Sequence, residues 1–310
     1  MESYFLINPV SGNGRAMSFL PDIEDAISGM KKCHLHTTSH KGGASAFVRK
    51  IAESGRPCRF FALGGDGTLN EVINGIHGLK NAQAGFIPAG TGNDFVRCFN
   101  GIKHFTNIAD QLDGTPMEID TVKVTLDDNE PIRFINMMNI GFDCNVVINA
   151  SHMRGSGSTA YIKGVFKELF SKNWGFNLKA FFDDGSVYNA SALLFTLANG
   201  RYCGGGFLSS PYAELDNGLI DAAVVDRIGR LKIISLLKAY RDGTYLKQPK
   251  VQEFITYKRC SKIVLEVKGK QGVSLDGEIF HFKKAELLAE NKTIEFIVPR
   301  GAEYKRAKNA

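Results

Sequence analysis

Over the first 120 residues, short apolar runs alternate with segments in which apolar residues recur at helical spacing. Short apolar runs, each ended by turn-forming residues, predict buried strands at 4–7, 35–38, 59–63 and 84–87. Between them, apolar residues recur at helical spacing and predict helices at 16–30, at 44–54 and from 69 onward. Strands that alternate with helices are joined by right-handed crossovers and form a parallel sheet. We therefore predict an α/β domain with a mostly parallel sheet over residues 1–120.

The pattern changes past Pro116. Residues 118–126 alternate between apolar and polar, which is the period of a half-exposed strand. Helices are predicted at 143–151, 160–170 and 231–240. The remaining predicted elements are strands, at 133–139, 176–182, 191–198, 219–225, 262–267, 272–275, 285–290 and 293–298. This predicts a second, β-rich domain over residues 121–290.

Composition narrows the class of protein only slightly. Hydrophobic residues make up 44% of the 310 residues and charged residues 23%, which is ordinary for a globular protein. The net charge of +6 suits nucleotides, anionic membranes and nucleic acid alike. The six cysteines form no CxxC pair, which favours reduced cytosolic thiols over disulfides or a zinc site. No apolar run approaches the ~20 residues that span a bilayer, so a lipid would be handled from the membrane surface.

Candidate chemistry begins where the third predicted strand ends, in the loop Gly64-Gly65-Asp66-Gly67-Thr68. Glycines let the backbone approach a ligand closely, and a helix N-terminus presents unpaired N–H groups that suit phosphate. Asp66 would repel a bare anion, so its presence implies a cation, such as the Mg²⁺ that accompanies a nucleotide polyphosphate. The alternative is a plain strand-to-helix turn in which Asp66 or Thr68 caps the helix.

A second loop of the same kind, Gly90-Thr91-Gly92-Asn93-Asp94, follows the fourth predicted strand. The carboxyl ends of parallel strands meet at one edge, where such sheets bind ligands. Asp66 and Asp94 are therefore expected at the same edge, with Thr91 as a candidate contact for phosphate or base. Capping of a helix is the alternative role for Asp94.

A third motif, Asp276-Gly277-Glu278, lies between apolar runs and predicts a β-hairpin. Glu278 also offers a carboxylate that can accept the proton of a hydroxyl nucleophile in phosphoryl transfer. The GxxxxGK[ST] pattern does not occur, which excludes a Walker-type phosphate loop.

These motifs occur in a fixed order, together with Asn8-Pro9, Asn139-Ile140-Gly141-Phe142-Asp143 and Gly204-Gly205-Gly206. In that order they resemble the diacylglycerol kinase catalytic-domain family, which includes sphingosine and ceramide kinases and soluble bacterial lipid kinases. The resemblance covers nearly the whole chain, and its length is most similar to the soluble bacterial branch. The GGDGT loop alone is shared with NAD kinases.

The resemblance implies a nucleotide-binding α/β domain at 1–120, to which 291–310 returns, and a β-sandwich lipid-substrate domain at 121–290. It implies a water-mediated Mg²⁺ network of Asp66, Asp94 and Asp120, and Glu278 as general base with Asp276 beside it. The implied ATP-binding residues are Asn8, Thr38, Gly64, Gly65, Asp66, Gly67, Thr68, Asn70, Gly90, Thr91 and Gly92.

Some members of this family also hold a structural Mg²⁺ in the second domain. The matching positions here are Glu214, Asn217 and Leu219. Asn217 stands where the ligand aspartate is expected, and because an amide lacks the negative charge, a metal should bind more weakly unless Asp216 substitutes.

We therefore predict a Mg²⁺-dependent kinase that transfers the γ-phosphoryl group of ATP to a lipid hydroxyl. The expected acceptor is diacylglycerol or a related glycerolipid, and the expected location is cytoplasmic, peripheral to the membrane. No nucleic-acid partner and no transmembrane segment are expected, and a homodimer is left open. The alternatives are a kinase of a soluble substrate such as NAD, and a non-catalytic regulator that binds nucleotide or lipid.

Overall fold

The computed structural model of the chain describes residues 1–151, 157–172 and 174–307. These residues form two compact units. The first contains Met1–Ile119 and Lys292–Lys305, and the second contains Asp120–Asn291 together with Arg306 and Ala307. Two long strands, Thr115–Leu126 and Glu278–Val298, contain residues of both units.

The first unit begins with alternating strands and helices. Its strands are β1 (Glu2–Ile7), β2 (Cys33–Thr37), β3 (Cys58–Gly64), β4 (Ala82–Pro88), β5 (Phe99–Asn100) and the first part of β6 (Thr115–Leu126). Its helices are α1 (Leu20–Ala26), α2 (Gly43–Ala52), α3 (Asp66–Ile76) and α4 (Ile108–Leu112). Short 3₁₀ turns lie at Arg15–Phe19, Phe95–Cys98 and Ile102–Thr106.

Four strands of this unit pair in parallel, in the order β4-β3-β1-β2. The C-terminal part of β14 (Glu278–Val298) adds to β4, also in parallel, with Phe296 opposite Ala84. Phe5, Phe61 and Ile87 are buried in one core cluster of this unit. Since all these strands run the same way, the loops that follow β1, β2, β3 and β4 lie at one edge of the sheet.

The predicted helix at 16–30 is wrong in extent. A 3₁₀ turn occupies Arg15–Phe19, and α1 begins only at Leu20 and ends at Ala26. Pro21 explains the break, because proline has no N–H to donate inside a helix but is well suited to the first turn.

The second unit consists mainly of antiparallel strands. They are β7 (Ile132–Phe134), β8 (Met137–Gly141), β9 (Phe176–Phe182), β10 (Val187–Ala198), β11 (Ile220–Asp226), β12 (Ile255–Cys260) and β13 (Lys262–Leu275), with parts of β6 and β14. Its helices are α5 (Phe142–Ser151), α6 (Gly157–Leu169), α7 (Arg230–Arg241) and α8 (Pro249–Gln252). The last strand, β15 (Glu303–Tyr304), belongs to the first unit, where it pairs with β5.

Strand pairing places β12, β11, β10, β8, β13 and β14 side by side, while β9 pairs with both β10 and β13. Phe134, Phe195 and Phe282 are fully buried in the core between these strands. The predicted strand at 133–139 is split into β7 and β8, because the backbone N–H groups of residues 135–137 bind a side chain and not a neighbouring strand. The strand β12 was not predicted.

A second core cluster in this unit lies under the helices. Phe142 from α5, Val165 from α6 and Ile233 from α7 are buried there. Strand residues such as Leu194 complete the cluster. The helices therefore cover one face of the antiparallel strands.

Candidate active site

The loop after β3 is built as a helix N-terminus. Gly65 is the N-cap residue, with extended backbone angles (φ −96°, ψ −177°), and α3 begins at Asp66. Because a glycine caps the helix, the carboxylate of Asp66 is available for other contacts. The N-cap position of α3 is thus held by Gly65 and not by Asp66 or Thr68.

The Asp66 carboxylate reaches the second glycine loop. It accepts hydrogen bonds from the backbone N–H groups of Asp94 (3.2 Å) and Phe95 (3.1 Å). Although part of Asp66 reaches the surface, its carboxyl is surrounded by protein, and this burial raises its pKa above the ordinary value while the two N–H donors act in the opposite direction. A bound cation would favour the ionised form.

Close backbone contacts hold the two loops together. The N–H groups of Ala89 and Gly90 both donate to the carbonyl oxygen of Gly64, at 2.7 and 2.9 Å. A Cβ atom on Gly90 would lie 2.4 Å from the Cα atom of Gly65, which no side chain tolerates. Glycine at position 90 is therefore required by packing.

Asp66 and Asp94 flank the same point. A Cβ atom on Gly92 would lie 3.3 Å from Oδ2 of each carboxylate. Asp94 is nearly buried, its Oδ1 lies 3.4 Å from Nε of Arg97, and in the described part of the chain its side chain caps no helix. The structure thus brings together two acidic residues that are 28 positions apart in the sequence.

The other residues expected to bind nucleotide differ in accessibility. Asn8 donates from Nδ2 to the hydroxyl of Thr68 (3.1 Å), and the hydroxyl of Thr38 donates to the carbonyl of Ile7 (3.2 Å). The side-chain oxygen of Asn70 accepts from Asn74 (3.0 Å). Thr91 is exposed. Asn8, Thr38 and Thr68 thus make contacts that stabilise the loops, and the glycine backbone and Thr91 form the more accessible surface.

Two carboxylates beside a helix N-terminus fit Mg²⁺. This ion keeps several waters and is bound through one or two carboxylates together with substrate phosphates. Within the described residues, no point gathers three or more His, Cys, Asp or Glu side chains, so a cage made of protein ligands alone is not present there.

In the second unit, Asp276 and Gly277 form the turn between β13 and β14. Both have positive φ (46° and 92°), as a two-residue hairpin turn of type I′ requires. The Asp276 carboxylate accepts three backbone N–H groups, from Ile135 (2.9 Å), Asn136 (3.1 Å) and Met137 (2.8 Å). Asp276 therefore anchors the turn to the segment between β7 and β8.

Glu278 is the first residue of β14 and lies opposite Leu275. Its side chain is half-buried. The anchored turn thus holds Glu278 at a defined position at the end of the hairpin.

Asp120 contacts a turn of its own unit. Its Oδ2 accepts from the N–H of Gly218 (2.6 Å), and its N–H donates to the carbonyl of Leu215 (2.6 Å). Its carbonyl oxygen accepts from the side chain of Asn199 (3.2 Å). Asn136 donates in turn to the carbonyl of Tyr202 (2.8 Å). Both asparagines are buried, and the sequence analysis did not single out either of them. Their signal, an asparagine directly after an apolar run, is too common to single them out.

The turn at 214–219 does not fit a structural divalent cation. The Asn217 side-chain oxygen accepts from the N–H of Leu219 (3.0 Å), and the Asp216 carboxylate is bound by both terminal nitrogens of Arg306. Glu214 accepts from the N–H of Ala307 (2.5 Å) and lies 3.4 Å from Arg306. A guanidinium group already balances the charge of this turn, and Asp216 is not left to replace the missing aspartate ligand.

A small apolar cavity lies under the helices of the second unit. Val165, Phe207, Ile233 and Leu237 are among its lining residues. Asp143 is the buried acidic group of this cavity. Its carboxylate accepts from the hydroxyls of Tyr240 (2.5 Å) and Tyr161 (3.4 Å), and burial raises its pKa to about 6.

Within the described residues, no helix is long and apolar enough to cross a membrane.

The model of the diacylglycerol kinase catalytic domain matches residues 2–124 of the chain. The model of the YegS C-terminal NAD kinase beta sandwich-like domain matches residues 136–287. The two matches follow each other along the chain and account for most of its length.

A diacylglycerol kinase from Staphylococcus carnosus is 27% identical over 302 residues, which cover 95% of this chain and 94% of that protein. The structure of a diacylglycerol kinase from Bacillus anthracis has a TM-score of 0.69 at 21% identity, over 96% of this chain and 97% of the other. An NAD kinase from Archaeoglobus fulgidus in complex with ATP has a TM-score of 0.50 at 9% identity, over 96% and 94% of the two chains. The two structural likenesses show the fold alone. With both family models matched in order, this chain belongs to the diacylglycerol kinase catalytic-domain family of lipid kinases.

Proposed function

We propose that this protein transfers the γ-phosphoryl group of ATP to a hydroxyl group of diacylglycerol or a related glycerolipid. The observation that carries the proposal is the pairing of Asp66 with Asp94 across two interlocked glycine loops. The family implies ATP as the donor, and the carboxylate pair supports a role for Mg²⁺.

The loops of the first unit bind the nucleotide. Backbone N–H groups at the start of α3 hold phosphate oxygens, assisted by the positive end of the helix dipole. Asp66 and Asp94 would hold the cation, and the family resemblance implies a role for Asp120 in the same metal network. Mg²⁺, when bound, supplies positive charge that stabilises the transferring phosphoryl group.

Glu278 accepts the proton of the attacking lipid hydroxyl. Asp276 is a positioning residue, because its three backbone contacts hold the turn that carries Glu278. A proton acceptor held in place by a separate positioning residue suits phosphoryl transfer, in which placement and electrostatics supply most of the rate enhancement.

The small cavity of the second unit offers apolar side chains such as Val165, Ile233 and Leu237 to an acyl chain of the acceptor. The enzyme works in the cytoplasm and is peripheral to the membrane, since its acceptor resides in a bilayer.

Transfer of label from ATP into a lipid panel tests the proposal. The panel holds diacylglycerol, monoacylglycerol, phosphatidylglycerol, sphingosine and ceramide in mixed micelles with Mg²⁺, and NAD serves as the soluble acceptor. Label is expected in a glycerolipid, and Asp66→Asn or Glu278→Gln should abolish it in a folded protein. Asp22→Asn, an exposed aspartate of α1, is the matched control and should retain activity.

Each alternative has its own outcome. Label in NAD alone would identify a soluble-substrate kinase. ATP binding without transfer to any acceptor would identify a non-catalytic regulator. An active Asp66→Asn enzyme would refute the assigned site.

A further inference from the structure

Helices α6 and α7 of the second unit expose several large apolar side chains. Phe170, directly after α6, is 85% exposed, Leu231 at the start of α7 is 83% exposed, and Phe166 is 55% exposed. Ile162 and Ile234 are exposed as well. We call these five residues the α6–α7 face. Large apolar side chains in contact with water are unfavourable, so a cluster of five such residues calls for an explanation.

The two helices adjoin, so the face is continuous. The Arg230 guanidinium, at the start of α7, donates to the carbonyl oxygens of Leu169 and Ser171 at the end of α6, both at 2.7 Å. Further along, Phe166 of α6 and Lys238 of α7 line one surface groove.

The exposed residues are additional to those that hold the helices in place. Val165 and Leu169 of α6 and Ile233 and Ala239 of α7 are buried in the core cluster under the helices. The face by which each helix packs against the protein is therefore not the face that carries the exposed apolar residues. On a helix that faces water, the opposite side would carry polar residues.

The exposed charges on the two helices have one sign. Among the described residues of α6 and α7, the exposed ionisable side chains are all basic, namely Lys163, Lys167, Arg230, Lys232, Lys238 and Arg241. The acidic Glu168 is buried, and accepts hydrogen bonds from Asn145 (2.9 Å) and Asn149 (3.2 Å). Asp242, one residue past α7, is an exposed acid that lines the groove together with Lys238 and Arg241, so basic residues outnumber it there. Exposed apolar residues flanked by lysine and arginine are the pattern of helices that lie in the interface of anionic membranes.

The groove on this face also adjoins the apolar cavity. Val165, Phe207 and Leu237 line both. A lipid chain that leaves a bilayer at the groove would therefore meet the cavity wall directly.

We propose that the α6–α7 face docks onto the surface of an anionic phospholipid bilayer and presents the apolar cavity to it. The apolar side chains enter the acyl boundary, and the lysines and arginines contact the anionic headgroups. The proposal rests on the proposed function, because it supplies the route by which a bilayer-resident acceptor reaches the enzyme.

Vesicle sedimentation of the full chain tests the docking directly. Vesicles of mixed phosphatidylglycerol and phosphatidylcholine should bind the protein, pure phosphatidylcholine should bind it far less, and high salt should weaken the binding. The double variant Phe166→Ser/Phe170→Ser should lower the partition coefficient roughly tenfold or more. Lys163→Gln/Lys167→Gln should lower it for the anionic vesicles only.

Val187→Ser is the matched control, since Val187 is a similarly exposed apolar residue (53%) of the same unit outside the two helices. Its binding should equal that of the wild type. Equal loss in the control, or absence of wild-type binding to anionic vesicles, would overturn the proposal. So would a wild-type dimer that the Phe166→Ser/Phe170→Ser variant converts to a monomer, because the face would then contact a second copy of the chain.

Two activity assays separate this proposal from the proposed function. On diacylglycerol in vesicles, Phe166→Ser/Phe170→Ser should be slower than wild type, whereas on a short-chain diacylglycerol below its micellar concentration both should be equally active. Unchanged activity on vesicles would overturn the docking proposal and leave the kinase assignment intact. Vesicle binding without phosphorylation of any acceptor would refute the kinase proposal and leave the docking intact.

Discussion

The glycine at position 90 shows how one residue can couple two loops. Gly90→Ala would force its Cβ against the Cα atom of Gly65, a contact that only movement of the backbone can relieve. We expect a loss of about 1–3 kcal/mol in unfolding free energy, together with weaker nucleotide binding. Thermal unfolding and a nucleotide titration would measure the two effects.

Gly67→Ala is the control for this prediction. Gly67 lies in the partner loop after β3, and apart from its chain neighbours and its own helix backbone no described heavy atom is within 4 Å of a Cβ built on it. It is part of α3, where alanine is favoured. Its stability should equal or slightly exceed that of the wild type. Equal destabilisation by both changes would show that the contact with Gly65 is not the cause.

At the scale of elements, the hairpin of β13 and β14 depends on Asp276. In Asp276→Asn the charge that attracts three N–H groups is lost, and the amide NH₂ would face backbone donors. We expect a loss of about 1–3 kcal/mol, measured by urea unfolding, and a lower rate of phosphoryl transfer.

Asp128→Asn, an exposed aspartate in another turn of the same unit, is the control and should change neither quantity. A variant at Asp276 with normal stability and no activity would instead favour a direct catalytic role for that carboxylate. The two measurements together therefore distinguish positioning from chemistry.

The segment at the C-terminal end stabilises the turn at 214–219 through Arg306. Arg306→Gln leaves the carboxylates of Glu214 and Asp216, both largely covered, without their cation. We expect a lower thermal midpoint, and partial recovery when millimolar Mg²⁺ or Ca²⁺ is added, because a metal ion can then balance the turn. The wild-type midpoint should respond less to either ion.

Arg15→Gln, at an exposed arginine of the first unit, serves as the control. An Arg306→Gln protein with an unchanged midpoint would mean that the ion pairs are too solvated to matter, as is common at protein surfaces.

At the scale of the whole molecule, the pH dependence of stability should report Asp143. Burial raises the pKa of Asp143 to about 6, so the folded state binds a proton that the unfolded chain releases between about pH 4 and pH 6. The stability that Asp143 contributes therefore increases as pH falls through 6 and is lost above it. Between pH 7 and pH 5, wild type should gain on the order of 1 kcal/mol relative to Asp143→Asn.

Unfolding free energies of both proteins at the two pH values would measure this difference, in which the other titrating groups cancel. A difference that stays constant with pH would mean that the two tyrosine hydroxyls stabilise the carboxylate enough to offset its burial.

The sequence by itself determined the local elements and the family. Short apolar runs that end in turn-forming residues have few alternatives to a buried strand, so β1, β3 and β4 were predicted close to their observed positions. The ordered motifs were enough to assign the diacylglycerol kinase catalytic-domain family, which the two family models confirm. Local chemistry also explains one misreading of the pattern, since Pro21 accounts for the late start of α1.

Only the tertiary structure decided which distant residues meet. The sequence predicted Asp66 and Asp94 at one sheet edge, but not that the Asp66 carboxylate accepts from the N–H groups of Asp94 and Phe95. The hairpin turn binds Asp276 to residues 135–137, and Arg306 pairs with Asp216. None of these contacts leaves a periodic signal, because each joins segments that are far apart in the chain. The exposure of apolar residues on α6 and α7 was likewise decided by the tertiary structure. From the sequence an apolar residue on a helix is expected to be buried, and only the fold shows which face is covered.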